Sequence, residues 1–189
     1  HGRRIKRLDM RGEQLFLFPE LDPFKTLIRN VDYVDLSTLT LGDDNRKNLL
    51  SNLPQGAYFI YKTGGFNKYL PNLGNVFPYI KNENTGRIMN NHISNTYVRC
   101  VVRNSKDGVY PNIKMHRIAG EAFVINDDPL IKKLVDHKNK NRLDYRVSNL
   151  RWVTASQNNM GTVRTFGKSY EDKLYLDPLT PVGKKSPKT

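Results

Sequence analysis

Cysteine is nearly absent from this 189-residue chain: Cys100 is the single one. Neither an internal disulfide nor a multi-cysteine zinc knot can therefore form, and no structural zinc is expected. Cys100 lies in the apolar run Tyr97 to Val102, where a lone thiol behaves as a small buried hydrophobe. Long hydrophobic runs are missing too, since no stretch approaches the roughly 18 apolar residues of a membrane-spanning helix. No Asn-x-Ser/Thr sequon occurs, so we expect a soluble, intracellular protein that is not secreted and has no membrane partner. Tryptophan is represented once, by Trp152. Acidic residues are scarce relative to basic ones: 18 Asp and Glu face 31 Lys and Arg, leaving a net charge of +13 and a pI near 9.8. The excess is not held in one tail, because the segments 1–70, 71–125, 126–161 and 162–189 each carry +3 or +4. Charge spread in this way suits a protein lying along a polyanion, nucleic acid above all; a merely solvated basic surface is the alternative.

What is present is ordinary enough for folding. With 38% hydrophobic and 26% charged residues, the chain is too apolar to be disordered throughout and long enough for one good core or two modest ones. The start, HGRRIKRLDMRG, reads as a solvated basic arm. DPFKTLIRN (22–30) places Phe24, Leu27 and Ile28 at helical spacing behind an Asp-Pro start and predicts a short helix. GDDNRKNLLSNLP predicts another, stopped before Pro54. AYFIYK (57–62) predicts a strand ending at a Gly64-Gly65 turn. That glycine pair lacks the pattern of a phosphate-binding loop.

From Leu70 onward, NVFPYIKN, GRIMNN, TYVRCVVRN and VYPNIKM read as an antiparallel meander of about four strands. HRIAGEAFV brings Ile118, Ala119, Ala122 and Phe123 onto one helical face that should pack on the sheet. Leu134 to Asp136 reads as a strand, 138–149 as a polar loop, Leu150 to Thr154 as a returning strand, and Ala155 to Met160 as a short helix capped by Thr154 or Ser156. The tail, with Pro178, Pro181 and Pro187, reads as an extended arm. The expected fold class is α+β. A helical region of unassigned role (1–67) is followed by a small antiparallel module (68–125), the strand–loop–strand–helix element (126–161) and a basic tail (162–189).

In VDHKNKNRLDYRVSNLRWVTASQNN (135–159), Asp136 and His137 end the first strand, Asn149 precedes the second, and Asn158 lies on the helix. A helix packed over the hairpin could let Asp136 and Asn158 offer oxygen to one hard cation, with His137 pointing to the opposite face of its strand. VDHKNKN…SNLRWVT…N resembles the HNH, or ββα-metal, endonuclease motif, in particular its phage intron-encoded homing members. IKMHRIAGEAFV resembles the helix that precedes the motif in such proteins. LPNLGNVF…TGRIMNN…YVRCVV is similar to the NUMOD-like DNA-binding module often fused in front. The resemblance covers 68–161 and nothing in 1–67.

The resemblance implies that His137 is the general base, taking a proton from the water that attacks a phosphodiester. Asp136 and Asn158 are implied to hold one Mg²⁺-type ion, Mn²⁺ being the alternative, and Asn149 to brace the loop and orient the histidine. Many members have His where Asn158 stands; Asn lowers the preference for softer metals. Products with 5′ phosphate and 3′ hydroxyl ends are implied. Lys138, Lys140, Arg142, Arg146 and Arg151, with Arg117 on the preceding helix, are candidates to grip the backbone of DNA, double-stranded in the first instance.

Blander readings stand beside these. Asp-His can be a turn, Asn149 a turn residue, and the basic loop a solubility device. His116 reads as packing or capping its helix rather than as a ligand, and Trp152 as core beneath the hairpin. Two other classes of function also fit: a non-cleaving nucleic-acid binder derived from the same fold, and an RNA binder that stacks bases on exposed aromatics.

Overall fold

A computed structural model describes residues 25–42, 50–103 and 110–160. The basic arms at both ends, and most of the helix expected from Gly42 to Pro54, lie outside the described residues. Nine strands and two α-helices fall within them. They are β1 (Tyr33–Asp35), β2 (Tyr58–Gly65), β3 (Phe77–Asn82), β4 (Arg87–Ile88), β5 (Asn91–Ser94), β6 (Tyr97–Val101), β7 (Asn112–Lys114), α1 (Met115–Phe123), β8 (Leu134–His137), β9 (Leu150–Val153) and α2 (Ala155–Met160). The antiparallel sheets and few helices make an α+β protein.

The expected meander is divided between two sheets. One is four-stranded with order β1-β2-β3-β4, and the other three-stranded with order β5-β6-β7. GRIMNN supplies a strand to each, Arg87–Ile88 to the first and the start of β5 to the second. Alternation drives the larger sheet. Ile60 and Ile80, paired in register, face the core with no exposed surface to speak of. Tyr33, Tyr61 and Tyr79 line up across the opposite face with ring centroids 5.5 and 5.0 Å apart.

Three expectations for the first 67 residues are corrected. Residues 25–30 are extended instead of helical: Ile28 bridges Val124, the Arg29 N–H donates to the Phe123 carbonyl (2.7 Å), and the Ile125 N–H donates to the Leu27 carbonyl. Leu27 and Ile28 are exposed, so their helical spacing had no core to face, and pairing with the chain leaving α1 satisfied the backbone instead. β2 does end at Gly65, but the Gly64-Gly65 pair lies inside the strand at a register shift instead of forming a turn. A Cβ at Gly65 would stand 2.9 Å from the Phe77 carbonyl oxygen, so the pair permits close strand approach. The region is also not helical where described, since β1 and β2 belong to the same sheet as β3 and β4 and only 3-10 turns (Leu36–Thr38, Leu50–Asn52) interrupt them.

The core runs between these sheets and α1. Met115, Ile118, Ala119 and Phe123 are fully buried, and Glu121 on the outer flank accepts from the N–H groups of Thr40 and Leu41. Gly120 lets α1 lie against β8, because a Cβ there would meet the Val135 methyls at 2.7 and 2.8 Å. Cys100 is buried as expected.

Candidate active site

β8 and β9 form an antiparallel hairpin with Asp136 opposite Arg151 and His137 opposite Leu150. The helix α2 follows and packs on both strands. Its start is a capping box: the Gln157 N–H donates to Thr154 Oγ1 and the Thr154 N–H donates to Gln157 Oε1, each at 3.0 Å. Sequence order thus becomes the spatial order expected: strand, loop, strand, helix.

The loop from Lys138 to Asn149 departs most from its polar composition. Asn139, Asn141, Asp144, Tyr145 and Asn149 are buried, at 1% exposure or less. Burying so many polar groups is tolerable only if they satisfy one another. Asn149 does most of this: its Oδ1 accepts from the Asn139 N–H (3.1 Å), and its Nδ2 donates to Asn139 Oδ1 (3.0 Å) and to the Asp144 carbonyl (2.8 Å). Its own carbonyl accepts from the Lys138 N–H at 2.7 Å. Asn139 Nδ2 donates to Asp144 Oδ2, and Arg146 closes a two-bond fork on the same carboxylate (2.8 and 2.7 Å). The outer sheets seal the loop. Asn67 Nδ2 donates to the Leu143 carbonyl, Asn91 Nδ2 to the Tyr145 hydroxyl, and Phe77 packs on the Tyr145 ring.

At the strand end the two neighbours diverge as the pleat requires. Asp136 Oδ2 accepts from Lys140 Nζ (3.0 Å) and from Arg151 Nε and Nη2 (3.1 and 3.0 Å). His137 turns inward, 4% exposed, and its Nε2 is buried without a hydrogen-bond partner. Burial pushes its pKa down from 6.5 to about 4, aided by the cations of Arg142 and Lys140 and opposed by Asp136 and Asp144. The imidazole is therefore neutral at pH 7, the form that accepts a proton.

The structure thus brings Asp136, His137 and Asn149 together at one end of the hairpin, with Asn158 on the helix packed against it. It distributes the cations less uniformly than the sequence suggested. Arg146 serves Asp144, and Lys140 and Arg151 serve Asp136. Arg142 lies over the Tyr97 ring at 4.8 Å and donates to Thr96 Oγ1 at 2.7 Å. That bond steadies a β-branched residue at φ 70 in the tight Asn95-Thr96 turn. Lys138 and Arg117 also make contacts of their own. Trp152 is half-buried against the core and donates Nε1–H to the Val124 carbonyl.

Sequence reasoning missed Asn139 and Asp144, and it read His116 as a packing residue without finding the ring it packs on. His116 packs its ring 4.5 Å from that of His137 and 4.9 Å from that of Tyr97. It stands three residues before Ala119 and seven before Phe123, a spacing that could have placed it on the buried flank of α1. Burial, with the cationic neighbours Lys114, Arg142 and Arg99, holds its pKa well below 6.5.

Residues 114–160, from α1 through α2, match the sequence family described as HNH endonuclease. A protein of Acanthamoeba polyphaga mimivirus, named as an uncharacterized HNH endonuclease, L247, is 42% identical over 95 residues. That match covers 50% of this chain and 23% of the relative, so the chain spans about a quarter of the length of the curated protein it resembles. No solved structure matches the chain. The similarity to HNH endonucleases thus takes in α1, the β8–β9 hairpin and α2.

Proposed function

We propose that the chain is a metal-dependent DNA endonuclease of the HNH homing type, nicking or cutting near a recognised site. The observation that carries this is the buried, neutral His137 with an unpartnered Nε2, held beside Asp136 at a strand end that Asn149 braces. A buried polar atom without a partner costs free energy, and a proton-accepting role gives it a use. In this reading His137 takes the proton of a water as that water attacks phosphorus. Asn149 keeps the loop closed behind it. Arg142, Lys138 and Arg117, with Arg146, Arg151 and Lys140 where their carboxylate pairs allow, contact the phosphate backbone. The sheet in front of α1 is the part we assign to reading the target, in the manner of a NUMOD-like module.

The chemistry of the donor set suits a hard divalent cation, Mg²⁺ before Mn²⁺, since Asp136 and Asn158 carry carboxylate and amide oxygens on β8 and on the helix packed against it. When bound, such an ion supplies stabilisation of the charge building on phosphate and on the leaving 3′ oxygen. The ion pairs at Asp136 Oδ2 with Lys140 and Arg151 favour one alternative, a nucleic-acid binder that no longer cleaves. The two part in one assay: supercoiled plasmid and RNA are incubated with the protein and Mg²⁺, then with chelator. Nicking of DNA that chelator stops and His137→Ala abolishes, with DNA binding retained, is the expected result. Tight binding without cleavage would establish the binder instead.

A further inference from the structure

His137 does not sit in the core alone. His116 of α1 lies against it with ring centroids 4.5 Å apart and planes 39° apart. Tyr97 of β6 lies against His116 at 4.9 Å and 17°, and against His137 itself at 6.2 Å and 25°. Cations flank the Tyr97 ring, Lys114 Nζ at 4.7 Å and the Arg142 guanidinium at 4.8 Å from its centroid. Three rings from three elements thus form a triangular cluster, with His116 the nearest ring to His137, whose Nε2 has no hydrogen bond to fix its direction.

That last point gives the cluster its use. A histidine is usually aimed by a hydrogen bond to one ring nitrogen. Where Nε2 makes no such bond, packing must restrict the ring to one orientation. The flat His116 imidazole meets both other rings, while Tyr97 backs His137 from a greater distance. Gly120, one turn further along α1, allows the helix to press close enough to β8 for the contact.

We propose that His116 is a positioning residue for His137: packed against it within the ring cluster that Tyr97 completes, it holds the imidazole in one orientation. This rests on the reading of His137 as the base, and the test separates the two. Three full-length variants, His116→Ala, His116→Gln and His116→Phe, are compared by steady-state plasmid nicking in Mg²⁺ and by NMR of the His137 ring signals. The Ala and Gln variants should lose about tenfold to a hundredfold in kcat, the scale of a small misplacement of a reacting group, with KM changed less than about twofold. His116→Phe restores a ring face and should recover most of kcat. The His137 ring signals should be single and sharp in the natural protein and in His116→Phe, and broadened or doubled in the other two. Should His116→Ala fail to fold, His116→Gln carries the same comparison, because it keeps volume and polarity without a ring face. Equal kcat losses in Gln and Phe, a change in KM alone, or sharp single His137 signals without the ring would overturn the proposal. If the natural protein does not nick DNA, the nuclease reading falls while the NMR comparison still decides whether His116 orients His137.

Discussion

Asn149 touches no solvent and spends both ends of its amide inside the loop. Replacing it by alanine leaves the Asn139 N–H and the Asn139 and Asp144 oxygens short of partners, at a cost of about 2–4 kcal/mol. Asn149→Ala should melt well below the natural protein when followed by circular dichroism; an unchanged midpoint would show that the amide braces nothing. Asn158 carries a different expectation. In the proposed role of oxygen ligand, its loss should raise the Mg²⁺ needed for half-maximal nicking by at least about tenfold without lowering the melting temperature much, because it is only half-buried near the end of α2. Superimposable Mg²⁺ titrations would remove it from the ligand set. Both residues were singled out in the sequence through its resemblance to the HNH motif. What spacing could not show is that Asn149 works within a buried network with Asn139 and Asp144, since hydrogen-bond partners five and ten residues apart are chosen by how the loop closes.

Among the elements, α1 and β8 are coupled through one missing side chain. A methyl at Gly120 would meet Val135 below 3.0 Å, so Gly120→Ala must push the helix off the strand or distort a β-branched side chain, costing about 1–3 kcal/mol. Adding Val135→Ala opens the needed space, and the double variant should recover both stability and nicking relative to Gly120→Ala alone. Additive losses in a thermal melt and a plasmid assay would contradict this close contact. The helix itself was readable from apolar period, the hairpin from alternation, and α2 from a Thr154 or Ser156 cap. Residues 25–30 were not. Their apolar spacing is helical, yet the free backbone of the chain leaving α1 offered hydrogen bonds that a short isolated helix could not match. Local pattern loses to such long-range pairing wherever a segment is too short to nucleate by itself.

For the molecule as a whole, Cys100 reports on global opening. It has no exposed surface, and burial pushes its thiol pKa up from 9.0 to about 12. A group raised in this way ionises first in the unfolded chain, so its contribution to stability is intact below pH 9 and is lost as pH rises from 9 toward 12. At pH 8, labelling by a thiol reagent should be slow and should follow unfolding in denaturant. Fast labelling under native conditions would mean that β6 opens locally. The two-sheet arrangement behind this burial was not readable, because Asn-rich links such as that between Met89 and Asn91 look alike whether a strand turns back on its own sheet or starts another.

By itself the sequence determined composition, a charge of +13 spread along the chain, the periods that make β2, β3, α1 and the β8–β9 hairpin, and the order of Asp136, His137, Asn149 and Asn158. These are properties of neighbours in the chain. Only the tertiary structure decided that the polar loop is core, that Arg146, Arg151 and Lys140 turn to carboxylates, and that His116 meets His137. Each of those depends on which groups compete for one another after burial, where an unpaired polar atom is costly and partners are settled by distance in space and not along the chain.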